Sequence, residues 1–188
     1  MASLLSYLNP FKSSTVSSNK EDTSFTVAVA ESITAGALSN ALCSEPGASS
    51  YFKGGIVAYS IASKKEILNI DVQYAEQNNF ANPSTTLEMA KQISKMFKAR
   101  IGLATTGYSQ PLYRPENKER GECELRIDNP YAYICLYDSV LDFNKVIKVD
   151  FTYDDAMSKR MQRATVQAKV ALEGKCLYVE YADKYKDK

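Results

Sequence analysis

The sequence VAVAESITAG, residues 27–36, decides how the rest of the chain is interpreted. Its first four residues are apolar and either small or β-branched, which is typical of a buried strand, and the run stops at Glu31 and Ser32. The small residues that follow indicate a tight turn, and the alanine-rich segment after them predicts a helix. Such a turn holds a hydroxyl at the carboxyl end of a strand and leaves backbone N–H groups for an anion or an oxyanion. Ser32 is therefore the first candidate nucleophile.

Ser32 and Thr34 also have a structural interpretation. Serine and threonine both cap helices by accepting hydrogen bonds from N–H groups of the first turn. From the residues of this stretch alone, capping and catalysis both remain open.

The composition bounds the class of protein. A chain of 188 residues, of which 45% are hydrophobic, is long enough for one domain with a sizeable core. No apolar run approaches the roughly 20 residues that a membrane helix needs, so we expect no membrane partner. The formal net charge is +1 and the sequence has no basic stripe, so we expect no nucleic-acid partner either.

The chain contains no histidine. This absence excludes a Ser-His-Asp triad, a Cys-His pair and every histidine-based metal motif. The four cysteines form no C-x-x-C pair, so they give little indication of zinc or redox chemistry. A nucleophile in this protein would need a lysine, a carboxylate or a tyrosinate as its base.

Strands and helices are predicted to alternate through one domain, residues 23–188. Residues 1–22 contain six serines and few core-forming residues, so we expect a mobile N-terminal tail there. Besides the opening strand, the pattern predicts strands at 56–59, 101–105, 131–137 and 145–152, and helices at 35–43, 60–68 and from Pro83 onward. This alternation predicts an α/β fold, a three-layer α/β/α sandwich with a mixed sheet.

Two segments stand out in the second half of the chain. Residues 108–129 form a long, charged connection with no predicted regular structure; such loops are usually functional or mobile, and a solvated surface is the simpler alternative. A final helix is predicted to begin at Asp154 and Asp155, because acids suit the positive end of a helix. Its predicted core face consists of Met157, Met161, Ala164, Ala168 and Leu172.

Several of these stretches together resemble the CinA C-terminal domain family. The resemblance rests on Ala-Glu-Ser-x-Thr-x-Gly at 30–36, Pro-Gly-Ala-Ser at 46–49 and Phe-x-Gly-Gly-x-Val-x-Tyr-Ser at 52–60, with Lys64 following. Gly-Leu-Ala at 102–104, Thr-Gly at 106–107, Pro111 and the Arg160-x-x-Arg163 pair also fit. The similarity covers residues 26–173, and the first and third runs occur in the expected order and at the expected separation.

The resemblance implies an amidohydrolase domain at 23–188. Stand-alone bacterial members of the family deamidate nicotinamide mononucleotide to nicotinic acid mononucleotide and ammonia, so a pyridine nucleotide is the implied small-molecule partner. It further implies Ser32 as nucleophile, Lys64 as base, and Tyr59 as a residue that relays the proton or holds Lys64 in place. No metal and no cofactor are expected, because lysine can serve as the base. The candidate substrate-binding residues are Thr34, Ser49, Thr106, Gly107, Arg160 and Arg163.

Each of these residues also has a structural interpretation. Lys64 would then be one exposed lysine on a solvated helix face, and Tyr59 would be a core residue at the end of a strand. Arg160 and Arg163 would form ion pairs with Asp154, Asp155 or Glu173.

The connection after Gly107 departs from the family pattern. The family's loop usually reads Thr-Gly-Ile-Ala-Gly-Pro followed by a glycine-rich segment, whereas residues 106–114 read Thr-Gly-Tyr-Ser-Gln-Pro-Leu-Tyr-Arg, so side chains replace glycines. This change bears on the substrate more than on the fold or the reaction type. Two alternatives therefore stay open: a Ser-Lys amide hydrolase with another small substrate, and a catalytically weakened protein that binds a nucleotide or a partner.

The resemblance also makes a homo-oligomer the expected state of assembly. We expect an intracellular, cytoplasmic location, because the wide and irregular spacing of the cysteines suggests reduced thiols. The first twenty residues contain no acidic residue, which keeps organelle targeting by the tail open as an alternative.

Overall fold

The structure is a computed structural model that describes residues 25–71, 73, 75, 80–119 and 124–185. Its strands are β1 (Val27–Glu31), β2 (Phe52–Val57), β3 (Ile101–Tyr108), β4 (Leu112–Arg114), β5 (Leu125–Ile127), β6 (Tyr131–Asp138) and β7 (Phe143–Asp150). Its helices are α1 (Ala37–Cys43), α2 (Ile61–Leu68), α3 (Pro83–Phe97) and α4 (Lys159–Tyr185), with a 3₁₀ turn at Ala48–Ser50. The predicted tail at residues 1–22 lies outside the described residues.

Five strands form one mixed sheet in the order β2-β1-β3-β6-β7. β1 runs parallel to β2 and to β3, whereas β6 is antiparallel to β3, and β7 is antiparallel to β6. The carboxyl ends of the three parallel strands meet at one edge of the sheet. The turn that holds Ser32 therefore lies beside the ends of β2 and β3.

Helices cover both faces of the sheet, which confirms the predicted three-layer α/β/α sandwich. Side chains alternate along β1, so Val27 and Val29 face one layer and Ala28 and Ala30 face the other. The valine face packs against α1 and α4, and the alanine face packs against α2 and α3. The small alanines allow close packing on the side that carries α2, the helix of Lys64.

Helix α3 begins where the sequence predicts. The side chain of Asn82 accepts a hydrogen bond from the N–H of Thr85 at 2.9 Å, and Pro83 occupies the first helical position. The helix lies close to β3, because a Cβ at Gly102 would lie only 1.9 Å from the carbonyl oxygen of Ala90. Glycine at this position is what permits the contact.

The connection at 108–129 contains regular structure that the sequence did not predict. β4 and β5 pair as a two-stranded antiparallel hairpin. Each strand has only three residues, which is too short for an alternating pattern to be recognised in the sequence. β3 also continues to Tyr108, beyond the predicted end at residue 105, so Thr106 and Gly107 are strand residues.

Helix α4 differs from its prediction in both its start and its buried face. It begins at Lys159, where the Ser158 hydroxyl accepts the N–H of Met161 at 3.3 Å, and the Asp154 carboxylate accepts the N–H of Ala156 in a turn before the helix. Met161 and Leu172, predicted to lie in the core, are each 60% exposed. The buried residues are Gln162, Val166, Val170, Ala171, Gly174, Leu177, Tyr178, Tyr181 and Ala182. Although α4 has 27 residues, no helix in the described part of the chain is both long and apolar enough to cross a bilayer.

Candidate active site

The turn after β1 is held by Glu31, whose side chain is fully buried. Its carboxylate accepts the N–H groups of Gly36, Leu38 and Ser39 at 2.8 to 3.0 Å, and also the Ser39 hydroxyl. These donors lie at the start of α1, where a negative charge offsets the positive end of the helix. No side chain caps α1 from the cap position itself. Glu31 therefore caps α1. The interpretation of Ser32 and Thr34 as the capping residues is wrong.

Ser32 and Lys64 are in direct contact. The Nζ atom of Lys64 lies 2.9 Å from the Oγ atom of Ser32, and both residues are buried, with 5% and 8% of their surfaces exposed. The same nitrogen donates to the carbonyl oxygen of Ala58 at 2.8 Å and to that of Tyr59 at 3.3 Å. Three oxygens therefore surround one amine, and one of them is a serine hydroxyl.

Lys64 reaches this position because of how α2 begins. Ser60 caps the helix with its side chain, which accepts the N–H of Ser63 at 3.0 Å, and the two residues form a reciprocal capping box. This start directs Lys64 towards the sheet while Lys65 remains exposed. The interpretation of Lys64 as an exposed lysine on a solvated face is wrong.

Burial lowers the pKa of Lys64 from 10.5 to about 8. The cause is desolvation, which disfavours the charged ammonium form. The groups in contact with its nitrogen are neutral oxygens and not carboxylates, so no ion pair opposes the shift. About a tenth of Lys64 is therefore uncharged at pH 7, far more than for an ordinary lysine, and the uncharged form is the one that a general base requires.

Only some of the backbone N–H groups in the turn after β1 form hydrogen bonds within the fold. The N–H of Ser32 donates to the carbonyl oxygen of Thr105 at 2.9 Å, and the hydroxyls of Thr34 and Thr105 lie 2.7 Å apart. Within the residues that the structure describes, the N–H groups of Ile33, Thr34 and Ala35 have no hydrogen-bond partner. Of these three residues only Ile33 lines the same cleft as Ser32, so its N–H is the candidate donor to an oxyanion formed there.

A cleft of about 370 Å³ opens over Ser32 and Lys64. Its walls come from the ends of the parallel strands, the start of α2, the hairpin β4–β5 and helix α4. Of the residues predicted to form the site, six line the cleft: Ser32, Tyr59, Lys64, Thr106, Gly107 and Arg163. A cleft of this size suits a small molecule.

Three predicted site residues do not line this cleft. Thr34 is buried and its hydroxyl contacts Thr105, so it stabilises the turn. Ser49 lies in the 3₁₀ turn, and Arg160 is exposed on α4. No described residue forms an ion pair with Arg160 or with Arg163, so the ion-pair interpretation of the two arginines finds no support within the described chain.

The role of Tyr59 at the site differs from the one expected for its side chain. It is 57% exposed, so it is not a core residue. Its backbone carbonyl oxygen, and not its phenol, contacts the Lys64 amine. The side chain lines the entrance of the cleft.

Sequence reasoning missed several residues of the site. Tyr108, Arg114 and Gln167 line the cleft, and the capping role of Glu31 was not foreseen. Glu31 lies inside the stretch that identified Ser32, so its position next to the turn was a usable signal. Arg114 belongs to the connection at 108–129 and had no such signal.

A larger cleft of about 610 Å³ lies at the amino ends of β1 and β3. It is lined partly by Lys91, Lys95 and Lys98, close to the carboxyl end of α3, where positive side chains offset the negative end of the helix. None of the predicted site residues lies there. Within the described residues, no group of three or more His, Cys, Asp or Glu side chains is placed to hold a metal ion.

The fold and the site together define a class: a three-layer α/β protein with a buried serine–lysine contact where parallel strands end. Comparison with known families then identifies the family. The model of the CinA C-terminal domain matches residues 11–136, which is more than half of the chain. The chain belongs to the CinA C-terminal domain family, which confirms the resemblance found in the sequence.

Individual relatives agree with this assignment. A CinA-like protein of Flavobacterium psychrophilum is 34% identical over 105 residues, which are 56% of this chain and 25% of the relative. A CinA-like protein of Amoebophilus asiaticus is 41% identical over 85 residues, which are 45% of this chain and 20% of the relative. The matched region thus spans a quarter or less of these longer relatives.

Solved structures show the same fold. The competence-damaged protein (CinA) superfamily protein of Enterobacter cloacae matches with a TM-score of 0.65 at 21% identity, covering 92% of this chain and 99% of that one. The competence damage-inducible protein A of Klebsiella pneumoniae matches with a TM-score of 0.64 at 20% identity, covering 87% and 88%. At this level of identity the likeness concerns the fold alone.

Proposed function

We propose that the protein is an amidohydrolase that converts nicotinamide mononucleotide to nicotinic acid mononucleotide and ammonia. Ser32 is the nucleophile and Lys64 is the base. The observation that carries this proposal is the buried contact of 2.9 Å between Lys64 Nζ and Ser32 Oγ. The identity of the substrate rests on the family resemblance, and the family membership of the chain supports it.

The surroundings of Lys64 suit a neutral amine. A neutral amine carries two N–H bonds and one lone pair, whereas an ammonium carries three N–H bonds. The carbonyl oxygens of Ala58 and Tyr59 accept two protons, so the lone pair is left to face the Ser32 hydroxyl. In the ammonium form Nζ donates to Ser32 Oγ; in the neutral form the direction reverses and the serine O–H donates to the lysine nitrogen, which is the geometry of a base about to remove the proton.

The reaction follows from these contacts in two stages. Lys64 takes the proton of Ser32 while Oγ attacks the carboxamide carbon, and the carbonyl oxygen becomes an oxyanion near the N–H of Ile33, which lines the cleft. The Lys64 ammonium then returns the proton to the departing nitrogen, the C–N bond breaks, and ammonia leaves an acyl-enzyme ester. Water deprotonated by Lys64 attacks this ester, and the proton passes back to Ser32 as the carboxylic acid product leaves.

A second candidate function is a binding protein of the same fold with weakened catalysis. The observation that favours it is the lining of the cleft by Gln110, Leu112 and Arg114, which stand where the family pattern has a glycine and a glycine-rich segment. These side chains narrow the room available to a substrate. The Ser32–Lys64 contact favours the enzyme, because a protein that only binds has no use for a buried lysine on a hydroxyl.

Ammonia release from purified protein supplied with nicotinamide mononucleotide tests the proposal. The wild-type protein is expected to release ammonia, and Ser32→Ala is expected to abolish the release while keeping the fold, as judged by circular dichroism. Absence of release from well-folded wild type would reject the deamidase assignment for this substrate. Binding of the nucleotide without release would then favour the second candidate.

The pH dependence of the reaction gives an independent check on Lys64. Because its lowered pKa is about 8, the neutral, active form becomes more abundant as the pH rises through 8. Below that value, kcat/KM is expected to increase about tenfold per pH unit, and it should level off above about pH 9. Steady-state rates between pH 6 and 9.5, with circular dichroism at each pH as the control, test this. A flat profile over that range would exclude Lys64 as the base.

A further inference from the structure

The hairpin β4–β5 presents one of its two faces to the cleft. Leu112 pairs with Ile127 and Arg114 pairs with Leu125, while Tyr113 pairs with Arg126 between them. Because side chains alternate along a strand, Leu112 and Arg114 share one face and Tyr113 lies on the other. Leu112, Arg114 and Leu125 line the cleft, whereas Tyr113 is exposed. The pairing therefore directs the Arg114 side chain towards the site.

Arg114 is held there without an internal partner. It is half-buried, and its Nε atom is buried yet has no hydrogen-bond partner within the described residues. It forms no ion pair with any described carboxylate. Its charge lies close enough to Tyr108 to oppose the rise in the pKa of that phenol caused by burial. A buried donor left unpaired is costly, which indicates that a ligand supplies the missing acceptor.

The cleft as a whole is positive. Arg114 and Arg163 line it together with Lys64, and none of the described residues that line it is acidic. Guanidinium groups present forks of donors that match the oxygens of a phosphate. A ligand with a phosphate group at a distance from its reactive amide could place the amide at Ser32 and Lys64 and the phosphate at the arginines.

We propose that Arg114 determines substrate specificity by binding the phosphate of a phosphorylated amide substrate. The proposal rests on the proposed function for the identity of the amide. It assigns substrate recognition to the hairpin that replaces the glycine-rich segment of the family, and it makes the unphosphorylated nucleoside a poor ligand.

The test measures binding separately from turnover. Four proteins are compared: Ser32→Ala, and Ser32→Ala combined with Arg114→Gln, Arg114→Lys or Arg126→Gln. Each is titrated calorimetrically with nicotinamide mononucleotide and, separately, with nicotinamide riboside. Loss of Arg114 is expected to raise the Kd for the mononucleotide about 10- to 100-fold, the range for a charged hydrogen bond, and to leave the Kd for the riboside unchanged. Lysine should restore part of the affinity. Arg126 is the matched control, because it lies on the solvent face of the same hairpin and pairs with Asp128.

The outcomes separate the two proposals. An equal loss of affinity for both ligands would overturn the assignment of Arg114, because it indicates a structural role. No loss of affinity for the mononucleotide would also overturn it. Phosphate-dependent binding through Arg114 in a protein that releases no ammonia would uphold Arg114 and reject the deamidase. Ammonia release by wild type with an unchanged KM in Arg114→Gln would uphold the deamidase and reject the assignment of Arg114.

Discussion

Replacing Lys64 with methionine is expected to lower kcat/KM for ammonia release from nicotinamide mononucleotide by about 10³-fold or more. Methionine resembles the buried stem of lysine in length and flexibility but carries no basic nitrogen. Ser32 would then keep its proton, and neither the attack on the amide nor the departure of ammonia would have an acid–base partner. The measurement is a steady-state assay of ammonia release.

The same substitution should change stability much less than activity. Methionine leaves the oxygens of Ser32, Ala58 and Tyr59 without their shared donor, which is unfavourable, but it also removes a buried amine that is largely charged at neutral pH. These effects oppose each other, so we expect a net change within about 2 kcal/mol. Lys65→Met is the matched control, because Lys65 is the exposed neighbour on the same helix and its loss should leave activity intact. More than a tenth of wild-type activity in Lys64→Met would contradict the assigned role.

Replacing Glu31 with alanine is expected to lower the free energy of unfolding by about 3 to 5 kcal/mol. The carboxylate accepts four hydrogen bonds in a site closed to water, and alanine would leave the N–H groups at the start of α1 without an acceptor. The turn that positions Ser32 depends on the same contacts, so activity should fall as well. Urea denaturation measures the change in stability.

Two further variants sharpen this measurement. Glu31→Gln keeps one carbonyl oxygen as an acceptor but brings an NH₂ group towards backbone donors, so it should lie between wild type and alanine. Glu173→Ala removes an exposed carboxylate from α4 and should change stability by about 0.5 kcal/mol or less. A loss under about 1 kcal/mol in Glu31→Ala would show that the carboxylate does not hold the turn.

Local patterns predicted the elements of this fold well where one interpretation dominates. The run at 27–30 has the character of a buried strand, and Asn82-Pro83 is an unambiguous helix start. Helix α4 was harder, because its sequence offers two stripes at helical spacing. The pattern favours the stripe with Met161 and Leu172, but the sheet packs against the neighbouring stripe of Val166 and Val170. Which stripe is buried depends on how the helix docks, which a local pattern does not contain.

The candidate site likewise has features that the local sequence predicts and features that it does not. A hydroxyl in the turn after β1 follows from the local sequence, but its partner does not, because Ser32 and Lys64 meet only through the parallel pairing of β1 and β2. The resemblance to a family supplied Lys64. It did not indicate that Tyr59 acts through its backbone carbonyl, since main-chain contacts are independent of residue type. Arg114 was missed because its strand is too short to produce a pattern.

The hairpin β4–β5 leaves the sheet at the end of β3 and rejoins it at the start of β6, and these two strands are neighbours. Its two ends are therefore anchored side by side, so its length and residues can change without shifting the register of any core strand. The Ser32–Lys64 contact is built from different connections, those after β1 and β2. Descendants of one ancestral gene can therefore diverge in the molecules they recognise by altering a single contiguous segment, while the reactive pair is inherited unchanged.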